Sequence, residues 1–309
     1  MELSEANQSS GSDFILLGFS DHPGLEKVLF VVISIFYFLT LMGNTAIILV
    51  SSLDSQLHMP MYVFLSNLSF VDLCFTTTTI PQLLVNLWGP GKSISYKGCF
   101  AQLYIALALG STECILLAVM SYDCYVAVCQ PLRYAVLMLP SLYRQLAALT
   151  WVSGFANSIV GMAVTLRMPL CGRCRLDHFQ CEVPTFIRIA CGDTAPNEPE
   201  MFAASVIFLL APVSLIITSY GHIARAVLRL QSAAGRVKAF RTGPSHFMVV
   251  VIFFETISFM YLQPVKSISK VRGRFVSLFY VVVTPCLNPL IYTLRNREVK
   301  DAVRRLGRR

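Results

Sequence analysis

Four acids stand within long stretches that hold no Lys or Arg: Asp72, Glu113, Asp123 and Glu255. An ionisable group in hydrocarbon is costly, so position alone makes each a functional candidate. Asp72 and Glu113 fall near the middle of different stretches. Two carboxylates facing one space would share a proton or hold a sodium ion, whereas the plainer alternative is a polar cluster hydrogen-bonded to Asn44, Ser111 or Asn288. The five histidines, His22, His58, His178, His222 and His246, are scattered. With no zincin pair, phosphate-cradling glycine loop or serine elbow, neither an enzyme nor a cofactor is expected.

The elements that must position these groups follow from composition. The chain has 309 residues, of which 55% are hydrophobic and only 14% charged, against roughly a quarter charged in soluble domains. Seven stretches reach the about 20 apolar residues needed to cross hydrocarbon. They are placed at about 25–50, 60–87, 98–130, 143–166, 200–224, 243–264 and 272–294, between tails 1–24 and 295–309, in one domain. Lipid cannot satisfy backbone polar groups, so all seven are expected to be helices. The fold class is therefore an all-α membrane protein, a seven-transmembrane helix bundle. Pro81, Pro212, Pro264, Pro285 and Pro289 sit in or at the ends of spans and mark expected bends.

Charge sets the expected orientation. The formal net charge is +8, and Lys and Arg concentrate at 225–241 and after residue 294, whereas the opposite face also carries Asp13, Asp21, Asp177 and Glu182. This places the N-terminus outside and the C-terminus in the cytoplasm. No cleavable signal peptide is visible. The excess of basic residues reads as attraction to anionic membrane lipid, with no nucleic acid partner. After the last span, Val299, Val303 and Leu306 repeat at helical spacing among cations, predicting a short amphipathic helix on the inner leaflet. Asn7-Gln8-Ser9 fits a glycosylation acceptor on the outer side, while Asn67-Leu68-Ser69 has the same pattern inside a span. Of ten cysteines, Cys99, Cys171, Cys174, Cys181 and Cys191 are expected outside, where disulfides form. Five is odd, and spacing alone does not pair them.

Specific strings then stand out. Residues 57–72, LHMPMYVFLSNLSFVD, resemble the first inner loop and second helix of vertebrate olfactory receptors, a branch of the rhodopsin-like G-protein-coupled receptors. MSYDCYVAVC at 120–129 resembles that family's third-helix signature, KAF at 238–240 with Ser245 and His246 its sixth-helix start, and TPCLNPLIYTLRN at 284–296 its seventh-helix signature. Gly43-Asn44 and ILLGFS at 15–20 also fit. The resemblance implies a small volatile odorant as ligand and a stimulatory, olfactory-type heterotrimeric G protein acting on adenylyl cyclase. It also implies bridges Cys99–Cys181 and Cys171–Cys191, leaving Cys174 outside both. The family's odorant cavity maps onto Ala106, Leu107, Gly110 and Ser111, onto Ser205, Val206 and Leu209, and onto Phe254, Ile257, Ser258 and Tyr261. Asp123, Cys124, Tyr125 and Lys238 match positions that couple to the G protein.

Three departures alter these expectations. Cys124 replaces the family's arginine, so Asp123 is expected to lose its partner or to protonate more readily, and coupling to weaken. Arg241, Gly243 and Pro244 replace small, helix-compatible residues where the family's sixth helix moves. Glu255 replaces a glycine and is expected at the odorant cavity, favouring basic or hydrogen-bond-donating ligands. Two alternatives stand beside the receptor reading: a diverged product that seldom reaches the surface, and a transporter or channel, against which the absence of paired internal repeats weighs.

Overall fold

The computed structural model describes residues 13–54, 57–171, 174–192, 198–229, 243–262 and 269–295, together with 299, 301, 302 and 305. Among them, six helices are long and apolar enough to cross a membrane: Pro23–Leu53, Pro60–Trp88, Tyr96–Cys129, Pro140–Leu166, Phe202–Arg229 and Lys270–Thr293. Ser245–Tyr261 is a shorter apolar helix, and with it the seven-helix bundle is complete. In chain order these are spans 1 to 7, the short one being span 6. Spans 1, 2 and 4 open on Pro23, Pro60 and Pro140, where the missing N–H would have had no helical partner anyway.

Two of the spans are not regular throughout. A π-helical turn occupies Val206–Leu210 in span 5 and another Phe279–Val283 in span 7. Each is followed by a proline, Pro212 and Pro285, whose missing N–H frees the carbonyl four residues back, inside the turn. Pro81 and Pro289 instead lie within continuous helices. Pro264 is outside the described residues.

Side chains knit the bundle where the apolar stripes meet. Asn44 of span 1 donates to the Pro285 carbonyl of span 7 at 3.0 Å. Asn288 donates to Asp72 at 2.9 Å, and Trp151 of span 4 donates to Asn67 of span 2 at 2.9 Å. Asn67 is thus a packing residue. Spans 3 and 4 close tightest at Gly154, where an added Cβ would strike Thr112 Oγ1 and stand 2.5 Å from the Ala108 carbonyl.

One end of the bundle carries a lid that the all-helical reading did not anticipate. Strand β1 (Asp13–Leu16) runs between β2 (Ser93–Ser95), antiparallel, and β3 (Arg175–Leu176), parallel. Alternation turns Phe14 and Leu16 inward, 3% and 1% exposed, as strand period dictates. Phe14 meets Tyr96 and Phe186 with ring centroids 5.7 Å apart in each pair. Gly18 follows with φ of +48° and Phe179 Cβ only 3.5 Å from where its own Cβ would be, a turn that suits glycine.

At the opposite end, Val299 and Ala302 are buried, 2% and 0% exposed, within the main core, and Arg305 bonds Asp54 through Nε at 3.0 Å and Nη2 at 2.6 Å. Val299 therefore packs on protein, where the sequence suggested lipid. Val303 and Leu306 lie outside the described residues.

Gly154→Ala is expected to cost about 1–3 kcal/mol of stability through overpacking. Gly221→Ala, with nothing within 4 Å, should be neutral or stabilising. Thermal unfolding of the two variants in lipid nanodiscs reads the contrast.

Candidate functional site: a chamber beneath the lid

The lid is anchored by covalent and polar ties. Cys99–Cys181 and Cys171–Cys191 are disulfide-bonded, and neither bridge includes Cys174, which is exposed. Gln102 of span 3 accepts the Cys181 N–H at 2.8 Å and donates to the Thr78 carbonyl of span 2 at 3.2 Å. Arg274, 5% exposed at the start of span 7, pairs with Asp21 at 3.2 Å and with Asp177. Lys270 reaches the same Asp177 at 2.6 Å. The N-terminal segment, the lid loop and span 7 therefore share one ionic node.

His178 lies in this lid with Glu182 Oε1 at 3.2 Å from Nε2. Burial holds its pKa below the usual 6.5 and outweighs the pull of Glu182. The Gln180 N–H donates to Nδ1 at 3.4 Å, which assigns the neutral ring the tautomer with its proton on Nε2.

Beneath the lid lies a cavity of about 140 Å³. Span 3 contributes Ala106, Leu107, Gly110, Ser111 and Cys114, and span 4 Asn157, Val160, Gly161, Val164 and Thr165. Ala204, Ser205, Phe208 and Leu209 come from span 5, Ile257 and Tyr261 from span 6, Tyr280 from span 7 and Val183 from the lid. Such a wall binds by burial, with few polar groups to orient a guest. Asn157 Nδ2 donates to Ser111 Oγ at 2.7 Å, leaving the Ser111 hydroxyl hydrogen and the Asn157 carbonyl oxygen for a ligand.

Of the residues mapped to this cavity from the sequence, Val206, Phe254, Glu255 and Ser258 do not line it. Ile257 and Tyr261 are one turn apart and face inward. Glu255 is two residues from Ile257, about 200° around the helix, and is exposed on the outside of span 6. The expected preference for basic odorants has no support in this placement. The contribution of span 4 was missed, as were Cys114, Ala204, Phe208, Tyr280 and Val183. Asn157, Gly161 and Val164 recur at i, i+4 and i+7, a signal available in the sequence. The Ser111–Asn157 pairing had none.

The other candidates occupy the core and the opposite end. Asp72 and Glu113 are both buried, 1% and 6% exposed. No group of three or more metal-ligating side chains is found among the described residues. Asp123 does have a partner: the Tyr134 hydroxyl donates to its Oδ1 at 2.8 Å. Burial and the neighbouring carboxylate push the Tyr134 phenol far above its usual range, so it remains a donor. Cys124 is buried, Tyr125 packs edge-on against His222 at 5.7 Å, and Tyr220 is 2.7 Å from His246 Nδ1. Asn7 and Lys238 are outside the described residues.

His178 yields a pH prediction. Its folded-state pKa is lowered, so the unfolded chain binds the extra proton first, and stability present above pH 6.5 is lost as pH falls below it. Thermal midpoints at pH 7.5 and 5.5 should differ less in His178→Gln than in the unchanged protein.

A family model described as Olfactory receptor matches residues 33–308. Olfactory receptor 2G6 of Homo sapiens is 59% identical over 304 residues, 98% of this chain and 96% of that protein. Olfactory receptor 2G3 of Homo sapiens is 58% identical over 300 residues, 97% of each. Squid rhodopsin superposes with a TM-score of 0.70 at 16% identity, covering 92% of this chain and 85% of that one, which shows the fold. On this evidence the chain belongs to the olfactory receptor family, a multi-pass membrane receptor and not an enzyme.

Proposed function

We propose that this receptor detects small, mostly apolar volatile molecules in the chamber and signals through a stimulatory, olfactory-type heterotrimeric G protein to adenylyl cyclase, with coupling weakened by Cys124. The observation that carries the ligand class is the chamber itself: apolar walls, a volume of about 140 Å³ and one polar pair at Ser111 and Asn157. An engineered apolar cavity of about 150 Å³ in another protein holds benzene, so single-ring or short-chain odorants fit. Eight of the residues proposed for this role line the wall: Ala106, Leu107, Gly110, Ser111, Ser205, Leu209, Ile257 and Tyr261.

The lid faces outside and Tyr134 faces the cytoplasm. Supporting this are the basic residues at 225–241 and beyond 294, which favour the cytoplasmic side, and the two disulfides at the lid, which favour the oxidising one. Asn7 is then the glycan acceptor and anionic lipid the partner of the basic tail. Asp72 and Glu113 hold a proton or a sodium ion between them, with Asn288 orienting Asp72.

Cys124 limits coupling because a buried thiol has neither the charge nor the reach of a guanidinium. Tyr134 still holds Asp123, now through a neutral donor. Asp123, Tyr125 and Lys238 complete the proposed coupling face.

Expressed with an odorant panel and a cyclic-AMP reporter, Cys124→Arg should signal several-fold above the unchanged receptor at equal surface level. Equal signals overturn the coupling claim. An N-terminal tag should stain on intact cells and a C-terminal tag only after permeabilisation. The reverse pattern, or staining of neither tag on intact cells together with a silent reporter, overturns the orientation or the surface role.

A further inference from the structure

Among the described residues, the part of the lid over the chamber is tightly held. There Gln180, Cys181 and Glu182 are 4%, 1% and 5% exposed, held by the disulfide to Cys99 and by Gln102. On the chamber's inner wall Ser111, Cys114, Ile257 and Tyr280 are buried, while Ala106, Leu107, Gly110 and Tyr261 are half-buried. Among the described lining residues, the one that is exposed on the exterior stands between spans 4 and 5. Val160 lines the cavity and is 55% exposed. Asn157, Gly161, Ala204 and Phe208 also line it and are half-buried.

The gap has a local cause. Spans 3 and 4 are drawn together at Gly154 and again at Gly161, two turns further on, where Leu107 of span 3 stands 3.0 Å from the position of an added Cβ, so span 4 is held against span 3 and away from span 5. Across from it, span 5 runs through its π-helical turn at Val206–Leu210, which displaces the wall residues from regular helical register. Val160 lies six residues before the end of span 4 at Leu166, about 9 Å along the axis, within the about 15 Å of hydrocarbon in one leaflet. The exterior there is apolar: Ile159 and Ile207 are 60% and 57% exposed.

We infer that the chamber is filled from the side, a small apolar ligand passing out of the outer-leaflet hydrocarbon between spans 4 and 5, beside Val160 and Phe208. The ligand class and the assignment of the outer leaflet rest on the function proposed above. A volatile of this kind is already concentrated in lipid by the transfer free energy of its apolar surface. Among the described residues no charged side chain lines the chamber, and the lid's hydrogen bonds lie away from Val160 and Phe208. Among the described residues, a path through the lid meets the Arg274 node and the contacts around Cys181.

The test uses the full-length receptor in phosphatidylcholine nanodiscs and a trifluoromethyl-aryl diazirine, a single-ring lipophilic photolabel, with the labelled residues mapped by mass spectrometry. In the unchanged protein, label is expected on chamber residues Cys114 and Tyr261 as well as on lipid-facing Val152. Val160→Trp should reduce the chamber label several-fold and leave Val152 unchanged. Phe208→Ala should raise the chamber label, which a misfolded plug could not mimic. Arg274→Gln, which loosens the lid, should leave it unaltered. An unlabelled chamber in the unchanged protein, a plug without effect, or a rise on loosening the lid each overturns the inference. Photolabelling needs no G protein, so a silent cyclic-AMP reporter would count against the proposed signalling and not against this route.

Discussion

Hydrocarbon offers no hydrogen bonds, and the rest of the structure follows from that constraint. Backbone groups must be satisfied within the spans, so any interruption has to be met by a neighbour. Pro285 interrupts span 7, and Asn44 answers by donating to its carbonyl. Asp72 is taken up by Asn288, and Asn67 by Trp151. These bonds run between spans and set their mutual rotation, which decides which side chains face inward.

The chamber is a product of uneven approach. Spans 3 and 4 touch at Gly154 with no room for a methyl group and stay close toward the lid at Ser158 and Gly161, so the space lies on the side of spans 5 and 6. Small residues on span 4 and the π-helical turn in span 5 keep the space from being filled. The lid adds order of a different kind, since two disulfides, a three-stranded sheet and the Arg274 node all act on the same short loop. Rigidity above and looseness at the side come from separate sets of residues.

How much could be read beforehand depends on the range of the interactions. The spans were legible because about 20 apolar residues is a local signal, and the two disulfides were legible only through resemblance. The sheet was not: Asp13–Leu16 is a short strand whose partners lie at 93–95 and 175–176, and no local pattern announces such pairing. Glu255 was misplaced because its position in the family pattern was weighed without its angle from Ile257. Cys124 shows the same limit. Its departure from the family was plain, yet the donor that holds Asp123 comes from Tyr134, in the connection after span 3.

The central strand of the lid is the first of the three to be synthesised. β1 pairs with β2 some 80 residues later, but its parallel partner β3 begins at Arg175. At ribosomal speeds of about 5–20 residues per second, β1 waits roughly 10–30 s for that partner. During biogenesis the amino-terminal strand therefore has only β2 beside it at first, and the sheet is completed only after four helices have been threaded. Sealing of the vestibule is thus a late step in assembly.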